Sequence, residues 1–198
     1  IADFEMRLIP VVVDMEAAGM RADRGELERL GAGARARAEQ LTGELRIAMG
    51  CPDLNPNSPA QLKAALNEAG IAVENTSEET LKKVDDGKIV PLILEFRFAS
   101  KQAQWVESIL KSIGPDGRIH GQFVPTGTET GRFTSKDPNL QNIPRGDARR
   151  CFTAPSGRKL IIADYSQIEL RAAAAIADEN RMIEAFARGD DLHRATAA

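Results

Sequence analysis

No run of apolar residues in this 198-residue chain approaches the roughly 20 that would span a bilayer. The opening residues carry Asp3, Glu5 and Arg7 where a secretory signal needs an uninterrupted apolar core. Membrane insertion is therefore not expected. Cysteine is scarce too. Cys51 and Cys151 lie far apart and show no metal-ligand spacing, which argues against a disulfide scaffold and leaves a reduced, cytoplasmic protein as the expectation. Internal repeats and low-complexity tracts are absent as well. What is there, 42% hydrophobic and 28% charged residues, is ordinary globular material, long enough for one good core or two small ones.

The formal net charge of −3 hides an asymmetry. From Arg118 to Lys159 eight basic side chains stand against only Glu129, Asp137 and Asp147, so the remainder of the chain is strongly acidic. A basic stretch inside an acidic protein suggests a local contact with a polyanion, or simply a solvated basic face.

The first half has helical periodicity. Phe4, Leu8, Val11, Val12 and Met15 repeat at helical spacing, and Gly19 supplies a stop. Asp23 and Glu26 have capping-box spacing and open a long pattern through Leu27, Leu30, Ala34, Ala38, Leu41 and Leu45. After a turn at Asn55–Asn57, Ser58, Pro59 and Gln61 give an N-cap, a proline at the first helical position and a reciprocal glutamine. A short helix is expected after Ser77. A long one is expected from about Val90 to Lys111, with Leu92, Phe96, Ala99, Ala103, Val106 and Leu110 on its apolar side.

The character changes at Gly114. A turn signal is followed by strand-like alternation from Arg118 to Val124, a loop rich in glycine and threonine, and an irregular stretch from Lys136 to Arg145. Residues 158–163 form a short apolar strand by pattern, and two helices are implied after Ser166. The expected fold class is α+β, with a helical region over 1–114 and an α/β region with a small antiparallel sheet over 115–198.

The expected strand releases Asp164 at its C-terminal end, directly before a helix. A carboxylate there suits Mg²⁺, which prefers hard oxygen ligands, and the Tyr165 carbonyl is a second such oxygen. Asp164 would equally serve as a helix cap. Ser166 and Glu169 have capping-box spacing, so Glu169 either reaches back to the Ser166 amide or projects into a site beside Asp164. The loop Thr126–Arg132 is not a Walker A loop, because no Lys-Ser or Lys-Thr follows its second glycine. Between Pro138 and Pro144, Asn139, Gln141 and Asn142 place three side-chain amides within four residues. Such amides either donate to base edges and sugars or satisfy their own turn backbone.

Several blocks now occur in a fixed order: Thr130–Ser135 (TGRFTS), Asp137–Pro144 (DPNLQNIP), Arg149–Phe152 (RRCF), Asp164–Arg171 (DYSQIELR) and Asp191–His193 (DLH). This series resembles the family A DNA polymerases, and DYSQIELR resembles the family's motif A. The strong part of the likeness spans Gly117 to Ala198. Val13–Met20 and Asn55–Leu62 are similar more loosely and correspond to the base of the thumb and the thumb.

The resemblance implies a thumb over 1–114 and part of a palm over 115–198. It implies DNA-directed DNA synthesis by two-metal phosphoryl transfer, with primer-template DNA and deoxynucleoside triphosphates as partners and no obligate protein partner. Asp164 would ligate both Mg²⁺ ions and Tyr165 would offer its carbonyl. Glu169 would be the steric gate against a ribose 2′-hydroxyl. Gln167 would lie near the templating pair, and His193 would reach the nucleotide's phosphates. Arg132 would enter the minor groove, where all base pairs present similar acceptors. Asn139, Gln141 and Asn142 would line the duplex. Lys136, Arg145, Arg149 and Arg150 would hold backbone phosphates or brace the palm.

The sequence departs from the family in a short Pro144–Arg149 link, in Cys151 where Ala is usual, and in the small-residue run Ala172–Ala175. After Ala198 there is neither a fingers helix nor the hairpin bringing the second metal carboxylate, so this chain alone is not expected to polymerise. A non-catalytic duplex-binding module is the alternative. Asp164, Glu169, Arg132 and His193 together argue against it, because a binder needs no metal carboxylate or sugar gate.

Overall fold

The first helix, α1 (Ala2–Ala18), stops at Gly19, whose φ of +59° lies in the left-handed region where a side chain is strained. A Cβ on Gly19 would also stand 2.7 Å from the His120 ring, so glycine is required twice over. The computed structural model describes residues 2–84 and 87–190. Within α1 the expected apolar line differs from what is buried. Val12 is buried and Leu8 half-buried, but Val11 and Met15 are exposed. Among the side chains the structure describes, which do not include that of Phe4, the helix docks along the line of Leu8, Val12 and Glu16.

Met20–Arg21 form β1, and α2 follows (Arg24–Ala48). The Asp23 carboxylate accepts from the Glu26 amide at 3.0 Å, as the cap spacing requires. Glu26 itself pairs with Arg29 rather than reaching back. At α3 (Pro59–Glu68) the Ser58 hydroxyl accepts from the Gln61 amide, while the Gln61 side chain accepts from the Asn55 amide at 2.9 Å. The glutamine thus ties the preceding turn to the helix. Ser77 caps the short α4 (Glu78–Leu81), and α5 runs over Ile89–Lys111.

Helices α2 and α5 pack antiparallel, with Gly31 against Val106 at one end and Arg37 bonded to Glu95 nearer the other. The buried stripe of α5 includes Ile89, Ile93, Phe96, Ala99, Val106 and Ile109. Leu92, Ala103 and Leu110, expected on it, lie only half-buried at its edge, because several neighbouring apolar positions compete for the same face. Two cores result. One gathers Leu41, Leu45, Leu62, Leu66, Ile93 and Phe96 between α2, α3 and α5. The other joins Leu27, Val106 and Ile109 to Ile119, Cys151 and Phe152.

The alternating stretch from Arg118 to Val124 is two strands rather than one, β2 (Arg118–Ile119) and β3 (Gln122–Val124). β2 pairs antiparallel with β1 through Met20↔Ile119. β3 pairs antiparallel with β4 (Thr134–Lys136) through Phe123↔Ser135. The chain changes partners at His120 and Gly121. The His120 ring is bonded to Glu16 and Asp116, and a Cβ on Gly121 would meet the Pro138 carbonyl at 3.0 Å. A 3₁₀ turn (Leu140–Asn142) and α6 (Asp147–Arg150) follow.

Contacts group the chain into two compact units, Ile1–Arg158 and Lys159–Ala198. The described part of the second contains α7 (Ile168–Ile176) and α8 (Asn180–Arg188), linked by the Arg171 guanidinium 4.3 Å over the Phe186 ring. Among the described residues, helices with two small antiparallel sheets make the fold α+β. Among the described residues no helix is long and apolar enough to cross a membrane.

The expected strand over 158–163 is not formed. Residues 158–165 carry no regular structure, and Ile161 and Ile162 are over 90% exposed. An extended segment becomes a strand only by pairing its backbone with a neighbour, and no described residue pairs with this one.

Candidate functional site

Asp164 and Tyr165 sit on that unpaired segment, and both are exposed. The helix after them does not begin as expected. Its N-cap is Gln167, held at φ +52° with no side-chain cap bond. Helix α7 therefore starts at Ile168, and the Ser166–Glu169 capping box is not made. The Ser166 carbonyl instead accepts from the Arg171 guanidinium at 2.8 Å. Asp164 lies three residues before the cap, so it does not cap the helix either. Among the described residues no hydrogen bond or ion pair holds its carboxylate. Glu169 stands in the first turn of α7, exposed, where a negative charge suits the helix end. The Gln167 side-chain oxygen is buried without a partner among the described residues.

Asp164 and the Tyr165 carbonyl are hard oxygen donors of the kind Mg²⁺ takes. They make up only part of a coordination shell, for no cluster of three or more metal-binding side chains occurs among the described residues. Because Mg²⁺ habitually keeps water and substrate phosphate oxygens, an open carboxylate beside a carbonyl fits it.

The basic residues belong to the first unit. The hairpin of β3 and β4 carries the loop 125–133, in which the Thr128 hydroxyl accepts from the Arg132 amide at 3.0 Å and donates to the Arg132 carbonyl. A Cβ on Gly127 would overlap the Thr134 side chain, so the loop closes only over glycine. Arg132, Lys136, Asn139, Gln141, Asn142 and Arg145 are all exposed. Two of the amides also have structural work. Asn139 accepts from the Gln141 amide at 3.0 Å, and Gln141 donates to the Phe133 carbonyl at 2.9 Å. Beneath them the buried Ser135 hydroxyl accepts from the Leu140 amide and donates to the Pro138 carbonyl. The loop and the turn are thereby braced against β4. His193 and its neighbours Asp191 and Leu192 lie outside the described residues.

Sequence reasoning missed a third feature. A groove of about 340 Å³ in the helical region is lined by Asn57, Glu78, Arg97, Ser100, Lys101 and Gln104. Arg97 is held in place by donating to the Thr76 carbonyl, and Lys101 is exposed. Their i, i+4 spacing on α5, away from its buried stripe, was the available signal. Cys51 and Cys151 are free thiols, and burial pushes the Cys151 thiol above its ordinary range.

The sequence model of DNA polymerase family A matches residues 24–198. DNA polymerase I of Caldicellulosiruptor bescii is 38% identical over 99% of this chain and 25% of its own length. That of Bacillus subtilis is 37% identical over 98% of the chain and 24% of its own length. Among solved structures, the polymerase domain of Pol1 from M. smegmatis, in complex with DNA primer-template and dNTP, superposes with a TM-score of 0.84 at 31% identity. That alignment covers 96% of this chain and 36% of the Pol1 chain. The chain spans about a quarter of the length of the curated relatives it matches. Its sequence and its fold agree on one conclusion: the chain belongs to DNA polymerase family A.

Proposed function

We propose that a polymerase containing this chain adds deoxynucleotides to the 3′ end of a primer on a DNA template. Residues 1–114 serve as thumb and 115–198 as the first part of the palm. The observation that carries the reading is the open Asp164 carboxylate, which neither caps α7 nor pairs with a described residue. A family likeness that preserved only the fold would not require that acid to stay unengaged.

Asp164 and the Tyr165 carbonyl would hold Mg²⁺. When bound, the metal pair makes the primer hydroxyl a better nucleophile and neutralises charge on the departing phosphate. The chain's own residues position the reactants. Glu169, fixed at the first turn of α7, occupies space that a ribose 2′-hydroxyl would need. Gln167 lies toward the templating pair, and its buried unpartnered oxygen supports a role as an acceptor there. His193 serves the nucleotide phosphates.

Arg132, on its braced loop, approaches the minor groove, with Lys136, Asn139, Gln141, Asn142 and Arg145 along the duplex. Since Asn139 and Gln141 spend one polar atom each on the turn, they meet DNA with the remaining ones. The Arg97–Lys101 groove supplies thumb contacts to backbone phosphate, where a guanidinium fixed by Thr76 needs little further ordering. Such contacts are independent of sequence.

Duplex binding by the chain tests the reading. Binding should weaken as salt rises, with each phosphate contact adding about −0.9 to the slope of log K against log salt. A salt-independent affinity, or no binding at low salt, contradicts the assignment of the thumb.

A further inference from the structure

Over its described side chains, helix α1 is fastened chiefly by polar contacts. Val12 alone among its described side chains is buried, while Met6 and Val13 are more than half exposed. Its C-terminal carbonyls, left without intrahelical partners, are taken up by the segment 116–123. The Arg118 guanidinium donates to the Ala18 carbonyl at 2.7 Å and to that of Gly19 at 3.2 Å. The Phe123 amide donates to the Glu16 carboxylate at 2.6 Å. The third tie is the His120 ring, with Nδ1 2.8 Å from the Glu16 carbonyl and Nε2 3.0 Å from the Asp116 carboxylate.

Neither of those two acceptors has a proton to give. A carbonyl never does, and an ionised carboxylate accepts only. Neutral imidazole carries one N–H, so it satisfies one partner and turns a lone pair toward the other. Imidazolium satisfies both. We propose that His120 is a proton-operated pin, closed as imidazolium, that fastens the C-terminal end of α1 to the segment from Asp116 to Phe123.

The charges around the ring agree with this. The bond to the Glu16 carbonyl and then the bond to Asp116 raise the affinity of His120 for its proton, against opposition from partial burial and from Arg118. Asp116 is correspondingly held below the usual carboxylate range, first by His120 and then by the Arg118 amide. A histidine whose folded pKa is raised contributes its stability fully below the unfolded value of about 6.5 and loses it as pH rises through the folded value. The pin therefore opens on the alkaline side. Opening loosens one of the three ties at the helix end that walls an apolar cavity of about 350 Å³, where Met15 and Ala18 face Ile119, Phe123 and Leu140.

The chain has two histidines, so proton NMR of the intact chain, with His120→Gln to assign the resonances, reads the pin directly. His120 should titrate above about 6.5, and Asp116→Asn should bring that titration down. Hydrogen exchange supplies the mechanical readout. At about pH 5.5 the α1 amides of the native chain should be better protected than those of His120→Gln, and at about pH 9 the difference should vanish. A His120 titration at or below the ordinary value, a titration indifferent to Asp116→Asn, or the same protection difference at both pH values overturns the proposal.

Discussion

Gly31 on α2 lies directly against Val106 on α5: a Cβ at Gly31 would stand 2.8 Å from Cγ1 of Val106. The two helices approach this closely because one of them offers no side chain there. Val106 is fully buried in the core that continues to Ile119 and Phe152, so it has no free direction in which to retreat. Gly31→Ala should therefore destabilise the chain by about 1–3 kcal/mol through overpacking. Gly33 is its internal control. A Cβ there meets nothing within 4 Å, and Gly33→Ala should stabilise by about 1 kcal/mol through helix propensity. Urea denaturation of both variants checks the opposite signs.

The two thiols should react at different rates. Cys151 is 2% exposed and its thiol is held protonated by burial, whereas Cys51 is partly exposed. At neutral pH an alkylating reagent should label Cys51 first. Cys151 should be labelled only as the chain unfolds, because the thiolate is the reactive form. Mass spectrometry after a timed pulse reads the order.

Lys101 and Arg97 should differ in what they cost. Lys101 is exposed, so Lys101→Ala should leave stability within about 0.5 kcal/mol and make the salt slope of duplex binding shallower by about 0.9. Arg97 also holds the Thr76 carbonyl, so Arg97→Ala should weaken binding and stability together. Thermal melts beside a salt titration separate the two effects.

Glu169 is expected to set sugar choice. In an intact polymerase containing this chain, Glu169→Ala should raise ribonucleotide incorporation about 10- to 100-fold relative to deoxynucleotides. The kcat/KM ratio for the two sugars is the quantity to compare.

Local chemistry was legible in the sequence, and pairing at a distance was not. Asp23, Ser58 and Ser77 announce helix starts because a cap is decided within four residues, and each does cap its helix. The apolar segment before Asp164 has the composition of a strand, but a strand exists only through its neighbour, which no local pattern supplies. The capping box at Ser166 failed for a related reason. Gln167 takes a left-handed conformation and Arg171 claims the Ser166 carbonyl, so the helix opens one residue past the expected cap. Asn139 and Gln141 stood between two readings, turn former and DNA contact. Their bonds to the turn backbone settle the structural half. The tie between His120 and Glu16 joins residues 104 positions apart, and no spacing rule would have found it.

The carboxylate of Asp164 is the proposed ligand of the catalytic metals, and its most direct test is primer extension by an intact polymerase containing this chain, native against Asp164→Asn. The substitution is nearly isosteric at an exposed position, so stability should stay within about 0.5 kcal/mol and duplex binding should persist. Loss of a metal ligand should cut extension by about a thousandfold or more. Extension at the native rate by a folded Asp164→Asn protein would contradict the assignment of this residue as a ligand of the catalytic metals.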